Sequence, residues 1–194
     1  MRLQNEALRV AILAAAKEEF LVKGFEKASV REIAAAAGTS KSNLSNYFAD
    51  KDALFCALAA PAVTEFGSVL ASICSDGKAP YTLEAQKGAV EAIAGFAFSH
   101  RESLQLLLFC SGGSSMEGFQ KDAVRTLSDV LWKWARATAP EAAVTELFVL
   151  SVSRFYLGAI EEMLLKGYTT EQAVLELPPF LAFAYGGWRA VFGE

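Results

Sequence analysis

SVREIAAAAGTSKSNLSNYFADK, residues 29–51, is the stretch whose reading decides the fold. Ser29 followed by Glu32 has the capping-box spacing, in which hydroxyl and carboxylate satisfy each other's free backbone donors, so a helix is predicted to open there. Val30, Ile33, Ala34 and Ala37 face inward on it. The run Ala34, Ala35, Ala36 and Ala37 lets a second helix approach closely, and Gly38 takes the turn between them. Ser40 is a good N-cap for the next helix, whose buried side is Leu44 and Phe48. Its outer side carries only short polar groups: Ser42, Asn43, Ser45 and Asn46. Such hydroxyls and amides fit a major groove, where they can meet base edges and phosphates. The same pattern also serves an ordinary bundle with solvated serines and asparagines, and the pattern alone leaves both readings open.

Helical period continues in both directions, with no strand alternation. Upstream, Leu8, Ile12, Ala16 and Phe20 form one apolar stripe. Gly24 is predicted to end that helix in a left-handed conformation, with Phe25 folding back on its last turn. Downstream, Asp50 caps a fourth helix with the stripe Leu54, Leu58, Ala62, Phe66 and Ile73. Pro61 lies within it and predicts a kink. Asp76-Gly77 through Pro80 reads as a loop, and a fifth helix runs from Thr82 to Ser99. A short sixth helix spans 102–110, and further helices span 117–138, 141–167 and 170–192. Pro178-Pro179 is expected to break or kink the last one. The run Ser111-Gly112-Gly113-Ser114-Ser115 lacks the glycine spacing and lysine of a phosphate cradle and reads as a linker.

Of the 194 residues, 53% are hydrophobic, enough for a packed core. No uncharged apolar run reaches the ~18 positions of a bilayer span, since Glu161 and Glu162 break the richest stretch. Glu6 and Arg9 interrupt any signal peptide, so the chain is expected to be cytoplasmic. The net charge of −4 is unevenly spread. Residues 1–48 carry seven Lys/Arg against five Glu, leaving the remainder acidic, so a mildly basic head keeps nucleic-acid contact local. Cys56, Cys74 and Cys110 are too few and too scattered for a disulfide framework and read as small buried hydrophobes, with a redox-sensing thiol the alternative. With His100 the only histidine, no zinc site of the usual spacing is available. His100 is expected to end the fifth helix, where a partly positive imidazole suits the dipole. No nucleophile elbow, P-loop or dinucleotide fingerprint is present, so no catalytic residue, cofactor or metal is expected.

One ordered set of residues narrows these possibilities. Phe20 with Gly24-Phe25, then Ser29-Val30-Arg31-Glu32-Ile33-Ala34, Ala37-Gly38-Thr39-Ser40-Lys41, Leu44, Tyr47-Phe48, Lys51 and Leu54 closely resembles the N-terminal domain of the TetR (tetracycline-repressor) family of bacterial regulators. The match covers a quarter of the chain. The resemblance implies that Ser29 bonds a phosphate and that Thr39, Ser40 and Lys41 open a recognition helix against phosphate oxygens. It implies that Ser42, Asn43, Ser45 and Asn46 read base edges, that Tyr47 meets the DNA backbone, and that Lys51 reaches a phosphate from the fourth helix. The sequence departs from the family's habit at Ser45, often aromatic there, and at Ser42, often Gly or Pro, which changes the side chains offered to bases.

The resemblance further implies an all-α chain of about nine helices, with a three-helix helix-turn-helix domain at 1–50 and an effector-binding and dimerisation domain at 51–194. The expected partners are a palindromic operator, a small hydrophobic effector and a second copy of the chain, with no membrane. The dimer face is sought on Phe148, Val152, Phe155, Ala159, Phe183 and Trp188. The effector pocket is sought among Phe66, Phe96, Phe109, Phe119, Trp132 and Tyr156, with Gln105 and Ser153 as polar points. The expected activity is that of a repressor released by its effector. The alternatives are a helical binding or adaptor protein that does not touch DNA and, behind it, an enzyme.

Overall fold

A computed structural model describes residues 2–73 and 82–193, and the side chains within them except those of residues 2–5 and 73. The expected loop from Asp76 to Pro80, and Cys74, lie outside the described residues. Among those residues the chain is all-α: α1 (Arg2–Lys27), α2 (Val30–Ala36), α3 (Lys41–Leu44), α4 (Lys51–Ile73), α5 (Leu83–Ser99), α6 (Arg101–Phe109), α7 (Phe119–Thr138), α8 (Glu146–Leu165) and α9 (Thr170–Phe192). They form two compact units. One joins the chain up to Val63 with Glu102–Gln120, and the other joins Thr64–Arg101 with the chain from Lys121 onward. Compactness therefore draws its line elsewhere than residue 50, because early α4 and α6 complete the core of the first unit.

That core is built on the expected stripe. Ile12, Ala16 and Phe20 of α1 are fully buried, together with Ile33, Leu44, Leu54 and Phe55, and Leu106 of α6 closes the cluster. Three rings sit at its centre. Phe20 stacks on Phe25 at 5.9 Å, and both meet Phe55 edge-on, at 5.2 and 5.4 Å. Such pairs contribute about 0.5–1.5 kcal/mol each beyond area burial.

The stop at Gly24 differs from the prediction. Its φ is +73°, but its ψ of 165° is extended, so the chain makes a kink and resumes helix to Lys27. The amide freed by the kink, Phe25 N–H, donates to the Cys110 carbonyl at 2.8 Å. The Schellman stop occurs instead after α2. Thr39 N–H donates to the Ala34 carbonyl at 2.9 Å and Gly38 N–H to the Ala35 carbonyl at 3.1 Å, with Gly38 at φ +68°.

The prolines do not end their helices. Pro61 lies within α4, and Pro178 and Pro179 lie within α9. The two prolines of α9 remove the donors that would reach the carbonyls of Val174 and Leu175, which are exposed residues that water can serve. Lys51–Ser72 of α4 is long and apolar enough by composition to cross a membrane, which the sequence reading did not anticipate. Leu54, Phe55, Ala59, Ala62 and Leu70 of this helix are buried, and 28% of the apolar window lies inside the structure.

In the second unit α5 packs on α9. Trp134 of α7 and Trp188 of α9 meet edge-on at 5.0 Å in a core with Ala135, Val144 and Val149. Thr169 caps α9 with a full capping box closed by Gln172. His100 ends α5 as predicted, its Nε2 2.7 Å from the Glu65 carboxylate and its ring against Phe96.

Candidate nucleic-acid interface and effector cavity

α3 has only four residues, so it is held by its side chains as much as by its backbone. The Ser40 hydroxyl accepts from Asn43 N–H at 3.1 Å, the predicted cap. Asn43 is also the hub of the segment. Its Nδ2 donates to the Thr39 hydroxyl at 2.9 Å, and its Oδ1 accepts from Asn46 Nδ2 at 3.4 Å. The Ser45 hydroxyl donates to the Lys41 carbonyl at 3.1 Å. Ser40, Lys41, Ser42, Ser45 and Asn46 are exposed, whereas Thr39, Asn43 and Tyr47 are half-buried. Leu44 and Phe48 are buried, as predicted, with the Arg9 guanidinium over the Phe48 ring at 5.6 Å. Of the polar side chains on this flank, Lys41 and Ser42 bond to no other described residue.

The predicted capping box at Ser29 does not form. Ser29 precedes α2 without a side-chain cap bond, and its backbone N–H donates to Glu19 Oε1 at 3.0 Å. Glu32 pairs with Lys23 instead, which also bonds Glu19 at 3.0 Å. Partial burial pushes the Glu19 carboxyl up, but the Ser29 N–H and the Lys23 ammonium outweigh it and hold the group below the usual carboxylate range. Glu19, ten residues upstream, has taken the place expected of Glu32. The Ser29 hydroxyl stays free of that duty.

Lys51 is also placed differently from the expectation. Its ammonium donates to the carbonyls of Phe25 (2.7 Å), Glu26 (3.2 Å) and Ala28 (3.3 Å), and it lies 4.4 Å from the centre of the Phe25 ring. An ammonium has three donors, and all three are engaged at the end of α1. Beside it, Asp52 accepts from the Ser115 hydroxyl (2.7 Å) and backbone N–H (2.8 Å), which lower its pKa against the opposing effect of burial. Cys56 Sγ is 3.4 Å from the same hydroxyl, and burial pushes the Cys110 thiol up. Both described cysteines are half-buried.

The second unit holds a partly open cavity of about 130 Å³. Helical stripes line it: Val90 and Ile93 of α5, Leu127 and Leu131 of α7, Tyr156 and Ile160 of α8, Phe180 and Trp188 of α9. Of the six aromatics expected there, only Tyr156 is on the wall. Phe66 and Phe96 pair with each other at 5.9 Å, and Trp132 carries the Arg136 guanidinium at 4.7 Å. Phe109 is exposed and, with Phe119, belongs to the other unit. Ser153 is fully buried and donates back to the Val149 carbonyl, so it serves its own helix. Gln105 also belongs to the first unit. The residues that were missed, such as Gln86, Trp134 and Met163, sit on periodic apolar stripes. Periodicity marks an inner face without telling core from cavity.

Of the six residues sought at a dimer face, Phe148, Phe155 and Phe183 are 37%, 42% and 65% exposed, although large and apolar. Phe155 and Phe183 touch at 5.2 Å across α8 and α9. Val152 is half-buried against the tryptophan core. Ala159 and Trp188 line the cavity wall, Trp188 buried and Ala159 half-buried.

Comparison with known proteins fits this geometry. Residues 12–58 match the model of the bacterial regulatory proteins of the tetR family. No curated protein matches. Among solved structures, a TetR-like transcriptional regulator from Rhodococcus is 23% identical, with a TM-score of 0.65, covering 96% of this chain and 97% of its own. The TetR-family regulator PfmR from Thermus thermophilus is 18% identical, with a TM-score of 0.63 and coverages of 89% and 95%. NalD of Pseudomonas aeruginosa, the secondary repressor of a multidrug efflux pump, is 21% identical, with a TM-score of 0.58 and 83% coverage of each chain. Residues 12–58 thus belong to the bacterial tetR family of regulatory proteins, and the chain that carries them has the all-helical fold of that family's solved members.

Proposed function

We propose that this chain is a homodimeric DNA-binding transcriptional regulator, a cytoplasmic repressor released from a palindromic operator by a small hydrophobic effector. The observation that carries this reading is the exposed polar flank of residues 40–46, built by the Ser40 cap and the Asn43 hub inside the segment that matches the tetR family. Lys41 and Ser42, whose side chains bond to no other described residue, would reach phosphate and base edge. Asn46 would add an amide, and Ser29 would bond a phosphate. Thr39 and Asn43 would hold the segment's shape while Tyr47 packs beside it. Lys51 would support the end of α1 in preference to contacting DNA.

Two such segments must lie ~34–36 Å apart to enter successive major grooves, which a symmetric dimer can arrange. The exposed Phe148, Phe155 and Phe183 offer an apolar face to a second copy. An effector in the cavity would shift the population toward a body conformation with a different spacing and so lower DNA affinity.

The test is binding to the chain's own promoter fragment over a salt series. Log affinity should fall linearly with log salt, with a slope of about −0.9 per phosphate contacted. Replacing Lys41 by Ala should make that slope shallower by about one unit. Weak binding with no sequence preference would overturn the proposal.

A further inference from the structure

We propose that the cavity of the second unit selects a neutral, largely apolar molecule bearing one hydrogen-bond acceptor, such as a ketone or ester carbonyl, seated on the Tyr156 hydroxyl. The inference rests on the reading above only for its regulatory consequence. Trp188 Nε1–H donates to the Tyr156 oxygen at 3.4 Å. That bond occupies the hydroxyl as an acceptor and leaves its own proton free. Among the described residues nothing accepts that proton. A hydroxyl that already accepts one bond is polarised into a better donor, more so in a low-dielectric site. Burial also raises its pKa against the opposing Trp188 contact, so the phenol keeps its proton at neutral pH.

The walls decide the rest. The only side chains with conventional hydrogen-bonding groups besides Tyr156 and the indoles of Trp134 and Trp188 is Gln86, and no charged side chain stands among the described lining residues. A carboxylate or ammonium entering this space would lose its hydration without gaining a counter-ion. A pure hydrocarbon would fill the space but leave the Tyr156 proton unmatched. The acceptor therefore supplies specificity and the apolar body supplies affinity.

Three ligands of one shape test this by calorimetry on the DNA-free wild-type protein at neutral pH: butyrophenone, butylbenzene and 4-phenylbutyrate. Butyrophenone should bind about tenfold tighter than butylbenzene, the worth of one net hydrogen bond in a dry site. The carboxylate should bind weakest of the three. Tyr156→Phe should weaken butyrophenone toward the butylbenzene level, short of it only by what the released Trp188 Nε1–H restores, and leave butylbenzene unchanged, the latter showing that the cavity survives the substitution. The wild-type ranking needs no variant, so a misfolded Tyr156→Phe would not shelter the proposal. It is overturned if the hydrocarbon or the carboxylate equals the ketone, or if none binds at millimolar concentration. Release of promoter DNA is then measured separately. Ketone binding without release would leave the ligand class standing and remove the effector role.

Discussion

Replacing Lys51 by Met separates two uses of one ammonium. The substitution keeps the stem and removes the charge, so the carbonyls of Phe25, Glu26 and Ala28 lose a shared donor and the Phe25 ring loses its cation. Hydrogen bonds to a charged group contribute about 1.5–3 kcal/mol each, and a partly exposed cation–π contact about 0.5–1 kcal/mol. Water can replace the donor at the more open Glu26 carbonyl, so we expect a net loss of about 2–3 kcal/mol, not the full sum. For a chain of this size, that lowers Tm by about 4–12 °C in a far-ultraviolet circular dichroism melt. The salt slope of promoter binding should stay at the wild-type value, because the three donors of Lys51 are engaged by carbonyls within the protein. The opposite result would refute the reasoning: stability unchanged within about 0.5 kcal/mol and a salt slope shallower by about 0.9 would place the ammonium on DNA.

Ser40→Ala should cost about 1 kcal/mol through the lost cap, whereas Ser40→Asp should keep the stability and still abolish promoter binding, since its charge would face phosphate. Equal promoter binding by the two variants would detach the cap from recognition. Asp52 has a native pKa below its ordinary 3.8, so its contribution is present above that value and is lost as pH falls through the native pKa. Asp52→Asn should therefore flatten the acid limb of a stability-against-pH curve measured by denaturant melts and lower the neutral plateau; an acid limb as steep as the wild type's would show that Asp52 does not carry it. If the proposed dimer pairs through this face, Phe155→Glu with Phe183→Glu should leave a monomer in sedimentation, and an unchanged dimer mass would move the interface elsewhere.

The turn and the short helices were legible because their signals are local. Gly38, Ser40, Leu44 and Phe48 act within a few residues of each other, and each has the predicted role. Ser29 and Glu32 also carry a local signal, yet the acceptor that wins is Glu19, brought in from another helix. Lys51 escaped for the same reason, since its three carbonyls lie 23 to 26 positions upstream. The cavity was the least legible part. Trp188 and Phe183 stand five residues apart on one helix, one 3% and the other 65% exposed, and neither spacing nor residue type says which turns inward. That depends on how α9 is rotated against its neighbours.

The first unit is discontinuous in the chain. Its core takes Leu106 from α6, its kink at Gly24 is tied to the Cys110 carbonyl, and Lys17 reaches Glu102 at 2.7 Å. A fragment ending near residue 50 or 63 would lack all three partners and leave the Phe25 amide facing an empty position. During synthesis the first three helices would emerge early, and they would stay unfinished until the ribosome had delivered a segment some sixty residues further on, so their final form depends on the middle of the message.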